Sequence, residues 1–408
     1  MADKTLLYRK RIVKELYFHS TLSCAELSLR INKSLPVTAK ILNDLLEEKQ
    51  VLESGYAPST GGRRPATYAL NPDFHYIVSV AVDQFVTRIS IMDLQNAIVF
   101  GIQKFELPLP KNPNALFELT KLIGRVIDNS GIPKNKITGI GIGMPGFVDL
   151  HKGMNYSFLP ANGTSITDYI RKELHLPVFI DNDSSLIALA ELRFGGAKDR
   201  KNVMVLNIGW GVGLGMIVSG ELFRGHNGFA GEFSHIPLFS NGKLCSCGKW
   251  GCLETETSLM VIINKAIEGI QQGRLSILKP SLLEHYEKAS ETLIQAVKEG
   301  DQFAIELLAE AGYNIGRGIA ILVHLMNPEL IVLSGRGASA GKVWLAPIQQ
   351  ALNEHCIPKL LGDTTVELSP LNYQADLIGA AALVMENSDS AAIKSGHAKH
   401  VFALAPEN

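Results

Sequence analysis

The 408-residue chain is 46% hydrophobic and 19% charged, a balance that excludes a disordered polymer and suits two or three domains with cores of their own. Its net charge of −1 is unevenly spread: residues 1 to 72 hold 11 Lys or Arg against 7 Asp or Glu, and a basic front suits an acidic partner such as nucleic acid. Five cysteines are too few for a disulfide framework, the start lacks the order of a secretion signal, and no apolar run is long enough to span a bilayer, so a cytoplasmic protein without a membrane segment is expected.

Leu6, Leu7, Ile12, Val13, Leu16 and Tyr17 recur at helical spacing, which predicts an opening helix ending near His19. Ser23 and Glu26 have the order of a capping box, so a short second helix starts there and stops near Asn32. Ser34 and Pro36 then open a third helix running to about Lys49. Val51 to Glu53 and Ala66 to Leu70 read as two strands around the turn-forming stretch from Ser59 to Pro65, which carries Arg63 and Arg64. Three helices and a basic hairpin make residues 1–72 a winged helix-turn-helix. Its third helix would enter the major groove and its wing would lie along phosphates, with Lys33, Thr38, Lys40, Arg63 and Arg64 as candidate DNA contacts.

Beyond residue 72 the pattern changes to α/β. Tyr76–Val82, Val86–Met92 and Ala97–Phe105 read as an antiparallel meander. A helix follows over 114–130, then strands over 137–142 and 178–181, a helix over 184–194, and strands over 203–208 and 216–222. Later helices are expected over 301–324 and 376–386, and the polar, small residues after Asn387 read as a tail. Two strands end in groups that could face a cleft, the stretch from Phe179 to Asp183 and the stretch from Leu206 to Gly215 with its glycine run. The run lacks the lysine of a phosphate-binding P-loop, and the segment after it reads as a strand. The densest chemical signal is Ala230-Gly231-Glu232-Phe233-Ser234-His235 followed by Cys245, Cys247 and Cys252. One imidazole and three thiolates, at His235, Cys245, Cys247 and Cys252, make a closed tetrahedral site for a structural Zn2+.

On these residues the chain resembles the ROK family of repressors and sugar kinases. The Gly61 to Pro65 wing, the Leu45 to Glu48 helix end, the Ala-Gly-Glu-x-x-His signature at 230–235 and the cysteine signature closing at Glu254 carry the likeness. The resemblance implies a two-lobed actin-like, ribonuclease H-like sugar-kinase fold behind the DNA-binding segment. Its first lobe would span 73–194, its second 195–372, and a helix over 373–387 would return to the first lobe before a tail at 388–408. It implies sugar ligands at Asn162, Asn182, Asp183, Glu232, His235 and Glu254, with Asp183 as the general base of any kinase activity. The nucleotide side departs from the family pattern: after Asp83 and Gln84, Phe85 and Val86 stand in place of two glycines, Trp210 beside Gly211 replaces a threonine, and Ser334-Gly335 replaces a glycine pair. Phe85 and Val86 are expected to project where phosphates would lie, so ATP binding is not expected. The expected function is a sugar-responsive repressor binding operator DNA and a monosaccharide effector as a homodimer or homotetramer. The alternative is an ATP-dependent sugar kinase that carries a DNA-binding domain.

Overall fold

The structure, a computed structural model, describes residues 2–58, 64–159, 163–282 and 285–388. Arg63, Asn162 and residues 389–408 of the expected tail lie outside them. The front begins with α1 (Ala2–His19), β1 (Leu22–Ser23), α2 (Cys24–Arg30), α3 (Leu35–Glu47), β2 (Val51–Tyr56) and β3 (Ala66–Leu70). The capping box forms: Glu26 N–H donates to Ser23 Oγ at 3.3 Å, while the Glu26 carboxylate accepts from Ser23 N–H at 2.7 Å. β3 pairs antiparallel with both β1 and β2, which closes the wing against the helices.

The first lobe contains β4 (Tyr76–Val82), β5 (Val86–Asp93), β6 (Ile98–Glu106), α4 (Ala115–Ser130), β7 (Ile137–Met144), β8 (Val148–Asp149), β9 (Met154–Asn155), α5 (Ile166–Leu174), β10 (Val178–Asn182) and α6 (Asp183–Phe194). The second comprises β11 (Val203–Ile208), β12 (Val212–Val218), β13 (Glu221–Phe223), α7 (Glu254–Thr257), α8 (Leu259–Gln271), α9 (Tyr286–Lys298), α10 (Gln302–Met326), β14 (Leu330–Ser334), α11 (Leu345–His355), α12 (Pro358–Leu361) and β15 (Thr365–Leu368), and α13 (Ala375–Glu386) ends the described chain. The sheets run β10-β7-β4-β5-β6 and β13-β12-β11-β14-β15. In each, three antiparallel strands are extended by two parallel ones beside the first strand, so the two lobes share one topology.

The glycine run differs from expectation. It is not a loop ahead of a strand over 216–222, because β12 starts at Val212 and already pairs Gly213 with Asn207 of β11. The run lies under α6, and a Cβ on Gly213 would stand 1.9 Å from Ser184 Oγ. Close approach of helix to strand therefore explains that glycine. The expected strand breaks at Ser219 and Gly220, which take φ of 55° and 81° and turn the chain into β13.

α6 and α13 pass between the sheets. A Cβ on Gly379 of α13 would meet the Leu186 carbonyl oxygen at 2.1 Å, so the returning helix lies directly on α6. One apolar core runs from the front into the first lobe, joining Leu16, Tyr17, Phe18 and Leu45 to Ile77, Leu186 and Leu383. Among the described residues, no helix is long and apolar enough to cross a membrane.

Candidate functional site between the lobes

A cavity of about 400 Å3 opens between the lobes and is lined by Asn182, Asp183, Glu232, His235 and Glu254 together with Asp83, Trp210 and Gly211. Five of the six expected sugar ligands are thus brought to one space, and the sixth, Asn162, is outside the described residues.

The junction of β10 and α6 positions the first two. Asn182 caps α6, its Oδ1 accepting from Ser184 N–H at 2.9 Å and Ser185 N–H at 3.2 Å, while its Nδ2 donates to the Gly146 carbonyl at 3.1 Å. The cap fixes the next residue, Asp183, at the cavity floor. Its carboxylate accepts from Ser184 N–H at 2.8 Å and from Asn207 Nδ2 at 3.2 Å. Burial nevertheless pushes its pKa up to about 6, opposed by the Ser184 hydrogen bonds and assisted by Asp376 and Asp83. Asp181 has a different role from its neighbours: it is buried and paired with Arg224 at 2.7 Å, which braces β10 from beneath.

Glu232 and His235 come from the loop after β13. Burial, with Glu254 nearby, holds the Glu232 carboxyl above its ordinary range against the opposing pull of His235. Glu254 starts α7 and accepts from Ser234 Oγ at 3.3 Å. His235 looks two ways. Its Nδ1 lies 3.5 Å from Cys245 Sγ, and its Nε2 lies 3.6 Å from Glu232 Oε2. Cys247 and Cys252 Sγ are 3.6 Å apart, and the ligand atoms of all four residues lie within 4.8 Å of one another. Ligands about 2.3 Å from a tetrahedral ion are separated by roughly 3.8 Å, so donor set and spacing fit such an ion.

The nucleotide side departs from what the sequence predicts. Phe85 and Val86 do not project into the cavity: Val86 is buried, and Phe85 crosses the lobe boundary to stack on Tyr286 at 5.1 Å and meet Trp210 edge-on at 5.6 Å. Hydrophobic burial in the second lobe's core explains that orientation. The group standing over Asp83 is Arg336. Its buried guanidinium donates to Asp83 at 2.9 Å, to Glu287, to Ser290 at 3.3 Å and to the Tyr373 hydroxyl, and lies 4.6 Å from the Trp210 ring centre. Asp83 in turn accepts from the Phe85 and Val86 N–H groups at 2.8 Å each. Beside it Arg88 pairs with Asp376 and lies 3.5 Å over the Tyr373 ring.

At the front, Lys40 and Arg64 are exposed and Lys33 is partly so. Thr38, expected at the duplex, is not available to it. It is fully buried, and its hydroxyl donates to the Ser34 carbonyl at 3.1 Å, so the side chain supports α3 from inside and does not reach a duplex. Exposed Leu35, Val37 and Lys40 form the outer face of that helix.

Sequence reasoning placed Asn207 in a cleft-facing stretch without singling it out, and it missed Arg88, Phe147 and Phe229, which line the cavity, and Arg224, which pairs with Asp181. Two of these had a signal: Asn207 is the polar residue of an otherwise apolar strand and Arg88 the one cation of β5, and a specific partner is needed to offset the desolvation of either.

Comparison with known proteins agrees with this geometry. The chain is 26% identical over 398 residues to the xylose repressor of Caldicellulosiruptor bescii, covering 95% of this chain and 98% of that one. It is 32% identical over 296 residues to a glucokinase of Halalkalibacterium halodurans, covering 71% of this chain and 89% of the kinase. Among solved structures, a ROK family transcriptional regulator homologous to the Escherichia coli MLC protein superposes with a TM-score of 0.76 at 25% identity, covering 95% of this chain and 97% of the other. With residues 87–387 matching the family as a whole, the chain belongs to the ROK family.

Proposed function

We propose that the protein is a sugar-responsive DNA-binding repressor acting in the cytoplasm, in which the cavity senses a saccharide and the winged helix-turn-helix binds operator DNA. The observation that carries this reading is the course of α6. It starts at Asp183 on the cavity floor and ends at Phe194, whose ring lies 5.7 Å from Tyr17 and 5.9 Å from Phe18 of α1. Around that contact Arg193 and Lys14 both pair with Glu386. A saccharide that binds the two lobes unequally in two arrangements therefore biases the seating of the front, and a coupling of about 1–3 kcal/mol is expected. Relatives named as sugar repressors align over nearly the full chain, front included.

Hydroxyl groups both donate and accept, which suits Asn182, Asp183, Glu232, Glu254 and His235 Nε2, the ring nitrogen away from Cys245. His235, Cys245, Cys247 and Cys252 would hold a structural Zn2+ that ties the Glu232 loop to α7; the ion supplies no open coordination position for chemistry. ATP has no place in this reading, because the cation over Asp83 is the protein's own Arg336, already satisfied by acceptors. A pair of copies would address two operator half-sites.

The test is selection of genomic duplexes by the full chain, followed by titration with sugars. A specific duplex released by a saccharide is expected. Failure to select any duplex, or turnover of ATP with a sugar at roughly one per second or faster, within the ordinary enzyme range, would favour the kinase alternative.

A further inference from the structure

Two aromatic rings at the cavity, Phe147 and Phe229, and a third beside them, Tyr156, have no partner role in the sensing machinery described above. Phe147 and Tyr156 flank the small β8–β9 hairpin of the first lobe and are 42% and 47% exposed. Phe229 belongs to the second-lobe loop, three residues before Glu232. Its ring meets Phe147 at 5.4 Å and 74°, and Tyr156 at 6.3 Å and 85°. Phe147 and Phe229 line the same cavity as Asp183 and Glu232. Large aromatic side chains left open to water at the rim of a polar cleft mark a place where ligand covers them.

The hairpin is built to hold this position. Tyr156 N–H donates to the Phe147 carbonyl at 2.9 Å, Phe147 N–H donates to Ser157 Oγ at 2.9 Å, and the Tyr156 hydroxyl donates to Asp149 at 3.2 Å. Buried Asn155 ties it to the cavity floor, its Nδ2 donating to the Pro145 carbonyl at 2.9 Å and its Oδ1 accepting from Ser157 and Phe158 N–H groups. Phe147 and Tyr156 are therefore presented on a fixed support, and ordering them costs little on binding.

Charge narrows the ligand. Asp183, Glu232 and Glu254 line the cavity, while its two guanidiniums are committed, Arg88 to Asp376 and Arg336 to Asp83 and Glu287. A phosphate dianion would meet carboxylates with no uncommitted guanidinium or ammonium among the described lining residues to offset them. A neutral saccharide has the matching character: hydroxyls at its edge for the floor, and C–H groups across its ring face for the negative faces of aromatic rings.

We infer that the effector is an uncharged saccharide of at least two rings, whose first ring occupies the polar floor and whose second lies against Phe147, Tyr156 and Phe229. This deepens the sugar-sensing reading and rests on it. The experiment is calorimetric titration of the full chain with glucose, xylose and N-acetylglucosamine, with their β-1,4-linked disaccharides, with maltose, and with glucose 6-phosphate. At least one disaccharide should bind roughly tenfold more tightly than its monosaccharide, as an added aromatic contact implies, and glucose 6-phosphate should bind more weakly than glucose. In Phe229→Ala, and separately in the solvent-exposed variant Tyr156→Ala, the disaccharide-to-monosaccharide affinity ratio should fall toward one. Monosaccharides binding as tightly as every disaccharide, a preference for the phosphate, or a ratio untouched by both variants would overturn the second-ring site while leaving sugar sensing intact. No binding by any of these sugars would overturn the sensing reading and the subsite with it.

Discussion

Asp183 and Arg336 illustrate how single side chains set the behaviour of the cleft. The folded-state pKa of Asp183, about 6, lies above the ordinary carboxylate value, so folding takes up a proton between about pH 4 and pH 6. Its contribution to stability therefore falls as pH rises through that window and stays unfavourable above it. Asp183→Asn is expected to be more stable than the parent at pH 7.5 by roughly 1–3 kcal/mol, with the difference shrinking toward pH 4; denaturant melts of both proteins across the range provide the measurement. Asp83 and Asp376 face the same carboxyl and Asn207 and Ser184 bond it, so only the difference between the two proteins isolates this residue. Arg336→Leu should do the reverse. It leaves Asp83 and Glu287 without their buried partner, and a loss of about 3–5 kcal/mol is expected from breaking such a cluster on one side; a fall in Tm would register it.

At the scale of elements, α6, α3 and the cysteine loop each carry a distinct prediction. Phe194→Ala removes the ring by which α6 touches Tyr17 and Phe18 while leaving Asn182 and Asp183 in place at the other end. The variant should bind saccharide like the parent but lose most of the sugar-induced release of operator, measured as a shrinking of the coupling toward zero. For α3, Lys40→Ala should weaken binding across sequences and lower the slope of log affinity against log salt by about 1. Thr38→Ala should instead lower the stability of the front by a cavity and a lost hydrogen bond, with an unchanged salt slope, because its side chain is buried. Removing metal with a chelator should lower Tm and weaken sugar binding together, since His235 belongs both to the Cys245–Cys247–Cys252 cluster and to the cavity wall.

The whole molecule joins three parts through two helices. α13 presses on α6 at Gly379, α6 presses on β12 at Gly213, and α1 rests on both helices through Tyr17, Phe18 and Lys14. The front and first lobe share one core through α1, α6 and α13, so a rearrangement at the boundary between the lobes is carried to the front. At that boundary Phe85, Trp210, Tyr286 and Arg336 join the sheets on one side of the cavity, while on the other side Phe147 and Tyr156 meet Phe229. Closure about the joined side is the expected response to ligand, and small-angle scattering with and without saccharide should register a smaller radius in the bound state.

What the sequence determined by itself was whatever depends on local order. The capping box at Ser23, the strand alternation from Tyr76 to Phe105, and the thiol spacing at Cys245, Cys247 and Cys252 each follow from neighbours within a few residues. Motif likeness extended this to Asn182, Asp183, Glu232, His235 and Glu254, which the fold gathers in one cavity. Tertiary structure alone decided which way side chains point and what they meet. Thr38 reads as an exposed polar residue of a recognition helix until α3 is packed; Phe85 reads as an obstruction until the second lobe offers it Tyr286 and Trp210. The glycines at 213 and 379 were legible as glycines, but their cause is a helix from another part of the chain lying within contact of the backbone. Arg336 and Asp83 are 253 residues apart, and no local pattern encodes such a pair, because its energy exists only once both are withdrawn from water together.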